Sequence, residues 1–262
     1  MAQQTVSVTS TDAVKVGCAG WSLPRALWPE FPPEGSHLQR YAARFNAVEI
    51  NSSFYRPHQG STYARWADSV PTDFRFSVKL PKAITHQQRL RDCAALLDAF
   101  LAQVTNLGGR LGCLLVQLPP TLAFDAAVAQ AFLHALRERH ASAVALEPRH
   151  ASWFSDEADG LLNDWQVGRV LADPLVHEAG RLPGGFSKLV YVRLHGSPRM
   201  YYSAYTPDRL DAVIARLQGA AASGAEVWCI FDNTAEGAAV DNALYVTQGL
   251  ARPAGLQPIQ PG

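Results

Sequence analysis

The sequence predicts a (β/α)8 barrel of one domain, and three observations carry that prediction. Eight short strand-like runs follow one another along 262 residues, most of them separated by stretches with helical apolar spacing. The length suits a single α/β barrel, which at this size buries roughly 75% of its unfolded surface and needs no staple. From the second run to the eighth, each run also turns from apolar to polar at its end, where this fold places its active site.

The elements follow in order. Residues 1–13 form a polar lead that is expected to be frayed, and residues 14–250 form the barrel. VKVGCAG (Val14 to Gly20) alternates as the first strand and runs into Trp21, Trp28 and a Pro-rich turn. Ser36 is placed to cap a helix with Leu38, Tyr41, Ala42 and Phe45 on one face. Ala47 to Phe54 reads as the second strand, residues 60 to 69 as a helix, and Phe74 to Leu80 as the third strand. Arg89 to Thr105 carries Leu90, Cys93, Ala94, Leu97, Phe100, Leu101 and Val104 at helical spacing. Leu111 to Pro119 is the fourth strand, Asp125 to His140 a helix, and AVALE (Ala143 to Glu147) the fifth strand. A short helix near Asp159 to Trp165 leads to the sixth strand, Gly168 to Asp173. The link that follows lacks a helix signal and is expected to be irregular. Lys188 to Gly196 is the seventh strand, Pro207 to Ala222 a helix with Pro at its start, and Glu226 to Asn233 the eighth strand. Gly237 to Leu250 closes the barrel as a helix, and residues 251–262 form a Pro/Gly-rich tail that reads as disordered.

Composition narrows the function classes. Lys plus Arg equals Asp plus Glu at 23 each, which argues against a nonspecific polyanion binder. No run of 18 apolar residues is present, so no membrane span or membrane partner is expected. Cys18, Cys93, Cys113 and Cys229 show no CxxC pairing and read as buried thiols of a reducing compartment. The first residues lack the basic and apolar regions of a secretory signal, so a cytoplasmic location is expected. His37, His134 and His140 sit in helical or helix-end contexts and are expected at the surface.

Strand alternation identifies the site. With Val48, Ile50, Phe76, Val78, Val116, Leu118, Val192, Leu194, Cys229 and Phe231 facing the helices, the opposite parity faces the barrel axis. That inward set is Glu49, Asn51, Ser77, Lys79, Gln117, Glu147, Arg193, His195 and Asp232, joined by Arg149 past the fifth strand and Asp173 on the sixth. Glu49, Glu147, Asp173, His195 and Asp232 are the catalytic candidates, because carboxylates and imidazole are general acids and bases. Lys79, Arg149 and Arg193 suit an oxyanion. Asn51, His86, Gln117, His150 and Asn233 add polar contacts, and Trp21, Tyr55 and Trp153 add stacking surfaces for a ring. The carboxylates could equally be salt-bridge partners that hold the bases in place. No HxH, HExxH or DxD spacing is present, and three nearby cationic groups disfavour a bound cation, so no metal or other cofactor is expected. The absence of GxGxxG, P-loop and GxSxG sequences removes support for NAD, Walker-type ATP binding and an α/β-hydrolase triad.

Seven motifs in order carry a family resemblance: GCAGW (from Gly17), VEINSSFYRP (from Val48), KLPKAITH (from Lys79), QLPP (from Gln117), EPRHASWF (from Glu147), YVRLHG (from Tyr191) and FDNTAEGAAVDNA (from Phe231). From Val16 to about Leu250 the chain resembles the DUF72, or YecE-like, family, which implies a TIM barrel and leaves the function open. Leu23 and Ser53 depart mildly from the family pattern. The family barrel is similar to those of endonuclease IV and xylose isomerase, an analogy of fold. The expected function is binding of, or acid/base action on, a small anionic ring-containing molecule such as a phosphorylated sugar or nucleotide. The alternatives are metal-dependent hydrolysis of nucleic acid or another phosphodiester, and a non-catalytic barrel that binds a ligand or a partner.

Overall fold

The computed structural model describes residues 14–252. The polar lead and residues 253–262 of the Pro/Gly-rich tail lie outside the described residues. β1 (Val14–Cys18), β2 (Ala47–Ile50), β3 (Arg75–Lys79), β4 (Leu111–Gln117) and β5 (Ala143–Glu147) are followed by β6 (Val167–Arg169) and β7 (Leu171–Asp173) on one stretch of chain. β8 (Gly184–Gly185) is a short antiparallel addition to β6, and β9 (Leu189–Leu194) and β10 (Glu226–Phe231) complete the set. One ladder runs β2-β3-β4-β5-β6 and the other β7-β9-β10-β1. The two ladders meet twice. The sixth stave pairs with β5 at its start and with β9 at its end, switching at Val170. β1 reaches β2 through a parallel bridge between Ala19 and Glu49. The result is the (β/α)8 barrel that the sequence predicts, with its sixth strand broken in the middle.

Side chains close much of the β1–β2 seam. The Tyr41 hydroxyl accepts from Cys18 N–H at 2.8 Å and donates to the Ala47 carbonyl at 3.0 Å. The Asn46 carboxamide accepts from Val16 N–H and donates to the Val14 carbonyl, both at 2.8 Å. Gly17 permits this approach, since a Cβ there would overlap the Ala47 carbonyl. Tyr41→Phe is expected to cost about 2 kcal/mol, because it leaves a buried donor and a buried acceptor unpaired. A urea midpoint that falls at constant slope would show this, and an unmoved midpoint would count against it.

The helices are α1 (His37–Ala42), α2 (Gly60–Asp68), α3 (Ala94–Val104), α4 (Ala126–Arg137), α5 (Asp156–Asp164), α6 (Pro207–Ala222) and α7 (Ala238–Ala251). Each stave but the sixth is followed by one. The sixth leads instead to a 3-10 turn at Glu178–Gly180 and to β8, the irregular link expected there. Ser36 caps α1 in a reciprocal capping box with Gln39.

Three local expectations change. α3 begins at Ala94 rather than Arg89, because Arg89, Leu90 and Asp92 all adopt positive φ. Leu90 and Cys93 are buried all the same, so they mimic a helical face without belonging to the helix. The second strand ends at Ile50, since Asn51 has helical backbone angles and Ser52–Phe54 form a 3-10 turn. His140 is buried at the end of α4 rather than exposed, while His37 and His134 are at the surface.

Two apolar layers result. Val48, Val78, Val116, Leu146, Val192 and Cys229 face the helices. Ala47, Cys113, Leu115, Ala145, Val170, Leu189, Tyr191, Trp228 and Ile230 fill the barrel. Tyr191 and Trp228 stack there with centroids 5.8 Å apart, and Gly112 leaves room for the indole. All four cysteines are buried free thiols. No helix among the described residues is long and apolar enough to cross a membrane.

Candidate functional site

The C-terminal ends of β2, β5, β9 and β10 converge on Arg193, the inward residue near the top of β9. Its Nε–H donates to Glu49 Oε2 at 3.0 Å and its Nη2–H to Glu49 Oε1 at 2.6 Å, a two-pronged pair across the barrel. Nη1 donates to Glu147 Oε2 at 2.6 Å, and Nη2 also reaches Asp232 Oδ2 at 3.0 Å. Below it, the Tyr191 hydroxyl lies 3.0 Å from Glu49 Oε2 and 2.8 Å from Ser77 Oγ. Arg149 approaches from beyond β5, with Nη2 2.6 Å from Glu147 Oε1. The His195 ring lies between two carboxylates, with Nδ1 3.1 Å from Asp232 Oδ2 and Nε2 3.0 Å from Glu147 Oε1.

Charge explains why so many ionic groups tolerate burial. Burial disfavours the Glu147 carboxylate, but Arg193, Arg149 and His195 outweigh it and hold its pKa well below the usual range. Asp232 is lowered in the same sense, with Arg193 and His195 overcoming burial. Burial likewise disfavours the His195 imidazolium, yet Glu147 and the hydrogen bonds to Asp232 and Glu147 raise its pKa. Arg149 Nη2 stands 3.1 Å from His195 Nε2, a contact that would be a hydrogen bond only to a neutral ring. Two flanking carboxylates favour the charged ring, so we assign both nitrogens as donors, with Arg149 and His195 sharing Glu147 Oε1. Glu49, Glu147 and Asp232 then balance Arg149, Arg193 and His195.

Lys79 stands outside that balance. It ends β3 with only 6% of its surface exposed, and its Nζ lies 4.2 Å from the centroid of Phe54. Among the described residues no carboxylate comes within ion-pair distance of it. Burial first, then the Arg193 charge, pull its pKa from 10.5 down to about 8. His86 packs edge-on against the same Phe54 ring at 4.9 Å, and its own pKa is lowered by burial and by Lys79.

Depth separates the predicted residues into two groups. Glu49, Glu147 and His195 are fully buried and Arg193 is 1% exposed, so they stand behind the mouth and hold other groups in position. Lys79, Arg149 and Asp232 keep some exposed surface and are the charged groups of this rim that reach the mouth. Arg193 turns four of its five N–H donors to carboxylates, which leaves it less to offer a ligand than Arg149. Arg149 retains a buried Nε without a partner, and Asn51 Oδ1 and Asn233 Oδ1 share that condition. The Asn233 amide nitrogen is fixed by Ser203 O and Asn242 Oδ1. Gln117 stands level with Glu147 in the β4–β5 register.

Five predicted residues take no part in the ionic network. The Asp173 carboxylate binds the Tyr205 hydroxyl at 3.0 Å and Arg209 Nη2 at 2.6 Å, away from the network. Val170 faces the interior, which places Asp173 on the opposite parity. Trp153 is buried, donates to the Leu122 carbonyl at 2.9 Å and packs on Phe124, so it is a core residue. His150 caps the turn Ala151–Trp153 by accepting from Ser152 N–H. Trp21 packs edge-on against Trp66 at 5.1 Å. Tyr55 is 67% exposed and lines a mostly apolar cavity of about 300 Å³ outside the barrel, between the turn after β2 and α3. Two further aromatic residues join the site. Tyr191 lies two positions before Arg193, on the parity that marks the inward set, and Tyr201 sets its ring 5.7 Å from His195.

No group of three or more His, Cys, Asp or Glu among the described residues is arranged to hold a metal ion. The carboxylates that converge at the mouth each face a guanidinium or an imidazole instead.

Comparisons with known proteins agree with this fold. A family model described as "Protein of unknown function DUF72" matches residues 15–261. UPF0759 protein YecE of Escherichia coli (strain K12) is 35% identical over 108 residues, covering 41% of this chain and 38% of that protein. UPF0759 protein YunF of Bacillus subtilis (strain 168) is 29% identical over 150 residues, covering 54% of this chain and 52% of that protein. The matched regions thus span about half or less of these relatives' own lengths. The crystal structure of a DUF72 family protein from Thermotoga maritima MSB8 superposes with a TM-score of 0.76 at 25% identity, covering 91% of this chain and 99% of that one. One from Enterococcus faecalis V583 superposes with a TM-score of 0.75 at 22% identity, covering 95% and 100%.

Proposed function

The chain belongs to the DUF72 family of proteins of unknown function, and from that premise we propose that its barrel mouth binds a small anionic, ring-bearing molecule and acts on it by acid/base chemistry. A phosphorylated sugar or a nucleotide fragment is the kind of ligand meant. One observation carries the reading: the buried charges at the mouth cancel except for Lys79, which leaves a surplus positive charge in a poorly hydrated pocket. Arg149, with its unpaired Nε, supplies a second donor to the same anion. Phe54 and Tyr201 offer ring surfaces beside them.

Acid/base work falls to the groups a ligand reaches. Lys79, with its pKa near 8, exchanges a proton close to neutrality, the condition general catalysis favours. Asp232 is held as a carboxylate by Arg193 and oriented by His195, which Glu147 steadies from the other side. Four buried free thiols support a reducing compartment, and the cytoplasm is the location we assign.

A thermal-shift screen of phosphorylated and carboxylated metabolites tests the reading. A ligand at about 100 times its Kd should stabilise the wild type by about 2.7 kcal/mol. Arg149→Ala should abolish most of that gain while still folding, because Glu147 keeps Arg193 and His195. Wild-type protein that no anion stabilises selectively would end the reading.

A further inference from the structure

We propose that Lys79 is a nucleophile that forms an imine with the carbonyl carbon of an anionic aldehyde or ketone held at the barrel mouth. The proposal rests on the anion-binding reading and narrows its ligand class to carbonyl compounds.

Geometry carries it. Of the basic residues gathered at this rim, Arg149 and Arg193 cannot give up their charge, whereas an ammonium can become an amine. Every carboxylate of the network is already engaged by Arg193, Arg149 or His195, so no ion pair has to break before Lys79 loses its proton. Its side chain is enclosed, and this desolvation favours the neutral amine, an effect the Phe54 ring beneath the nitrogen offsets only in part. The direction of its pKa agrees with that balance. Arg149, whose Nε has no partner, still faces the anion once Lys79 has given up its charge.

The step balances without a further reactant. The Nζ lone pair attacks the carbonyl carbon and forms a C–N bond, and a proton passes from nitrogen to the former carbonyl oxygen. The C–O bond of that carbinolamine then breaks. Water leaves with the second proton of the amine, and the C=N bond remains. We assign the relay of these protons to Asp232, the carboxylate of the network that reaches the mouth and is backed by His195.

Borohydride trapping tests the proposal. The chain has only four lysines, Lys15, Lys79, Lys82 and Lys188, so a label is readily mapped. Full-length protein would be treated with pyridoxal 5′-phosphate, a phosphorylated ring aldehyde, and separately with glyoxylate. Sodium borohydride would then reduce any imine to a stable secondary amine. The expected result is one adduct per chain, on the Lys79 peptide, with a yield that climbs from about pH 6 to about pH 9. Lys79→Arg keeps the positive charge and should lose the adduct, and Lys79→Met should behave alike if the arginine perturbs folding. Labelling spread over Lys82 and Lys188, or unchanged in both variants, would overturn the proposal. The thermal-shift screen separates the two readings. Wild type stabilised by phosphorylated anions yet trapped by neither aldehyde refutes imine formation and leaves anion binding intact. Wild type neither stabilised nor trapped refutes both.

Discussion

Arg193→Ala is expected to destabilise the protein by about 3–5 kcal/mol, the cost of leaving buried charges without their partner. The reason lies in what remains. Glu49 is fully buried and loses both prongs of its only guanidinium, keeping a hydrogen bond from Tyr191. Glu147 fares better, because Arg149 and His195 still face it. Arg193→Lys should recover little, since one ammonium cannot meet Glu49 through two nitrogens while also reaching Glu147 and Asp232. Glu49→Gln combined with Arg193→Met should lose less than Arg193→Ala alone, because one uncompensated charge is removed along with its partner. Urea denaturation of the three variants decides this. A loss below about 1 kcal/mol for Arg193→Ala would mean that water reaches the network and that these ion pairs are surface-like in worth.

That expectation also sets what such a network is for. Three carboxylates and three cations on four staves pin the barrel mouth across its diameter. Such clusters are often replaceable by apolar residues without loss of stability, so stability alone is a weak reason to have one. Here the cluster fixes the orientation of Asp232 and the position of Arg149, two groups that reach the open mouth. It also leaves Lys79 without a partner in the middle of a charged site.

The barrel is legible in the sequence because alternation within a strand is a local property. Val48, Val78, Val116, Leu146 and Val192 mark the outer parity and all face the helices. The same alternation brings Glu49, Lys79, Glu147 and Arg193 to one place, although they are spread over 145 positions. Alternation states a direction and not a depth. It could not show that Arg193 would be consumed by three carboxylates, or that His195 would lie wholly behind Asp232. On the sixth strand alternation holds through the change of partner and turns Asp173 outward against Tyr205 and Arg209, but Val170, Leu171 and Ala172 are all apolar, so the sequence leaves that parity unmarked. Past strand ends alternation has no force, and there Trp153 and His150 follow the packing and capping of a local 3-10 turn. Tyr191 was on the correct parity all along. Its ring belongs to the apolar plug and only its hydroxyl to the site, so residue type alone hides it.

Lys79→Met should make the protein more stable at neutral pH, by about 2 kcal/mol. The sign follows from linkage. A lysine whose folded pKa falls from 10.5 to about 8 binds its proton less tightly in the folded state than in the unfolded chain. Below the folded pKa the penalty is complete, and at about 1.4 kcal/mol per pH unit it amounts to roughly 3 kcal/mol. The Phe54 ring returns about 1 kcal/mol through its contact with the ammonium, and methionine keeps most of the packing of the stem. As pH rises through 8 toward 10.5, the wild-type lysine discharges in the folded protein before it would in the unfolded chain, and its handicap shrinks. The advantage of Lys79→Met should therefore be largest at pH 7 and close to nil near pH 10. Denaturation midpoints at both pH values measure it. A variant no more stable than wild type at pH 7, or one whose advantage does not fall with pH, would show that the ammonium is hydrated or paired after all. Such a cost to folding is what the proposed imine chemistry would require of Lys79.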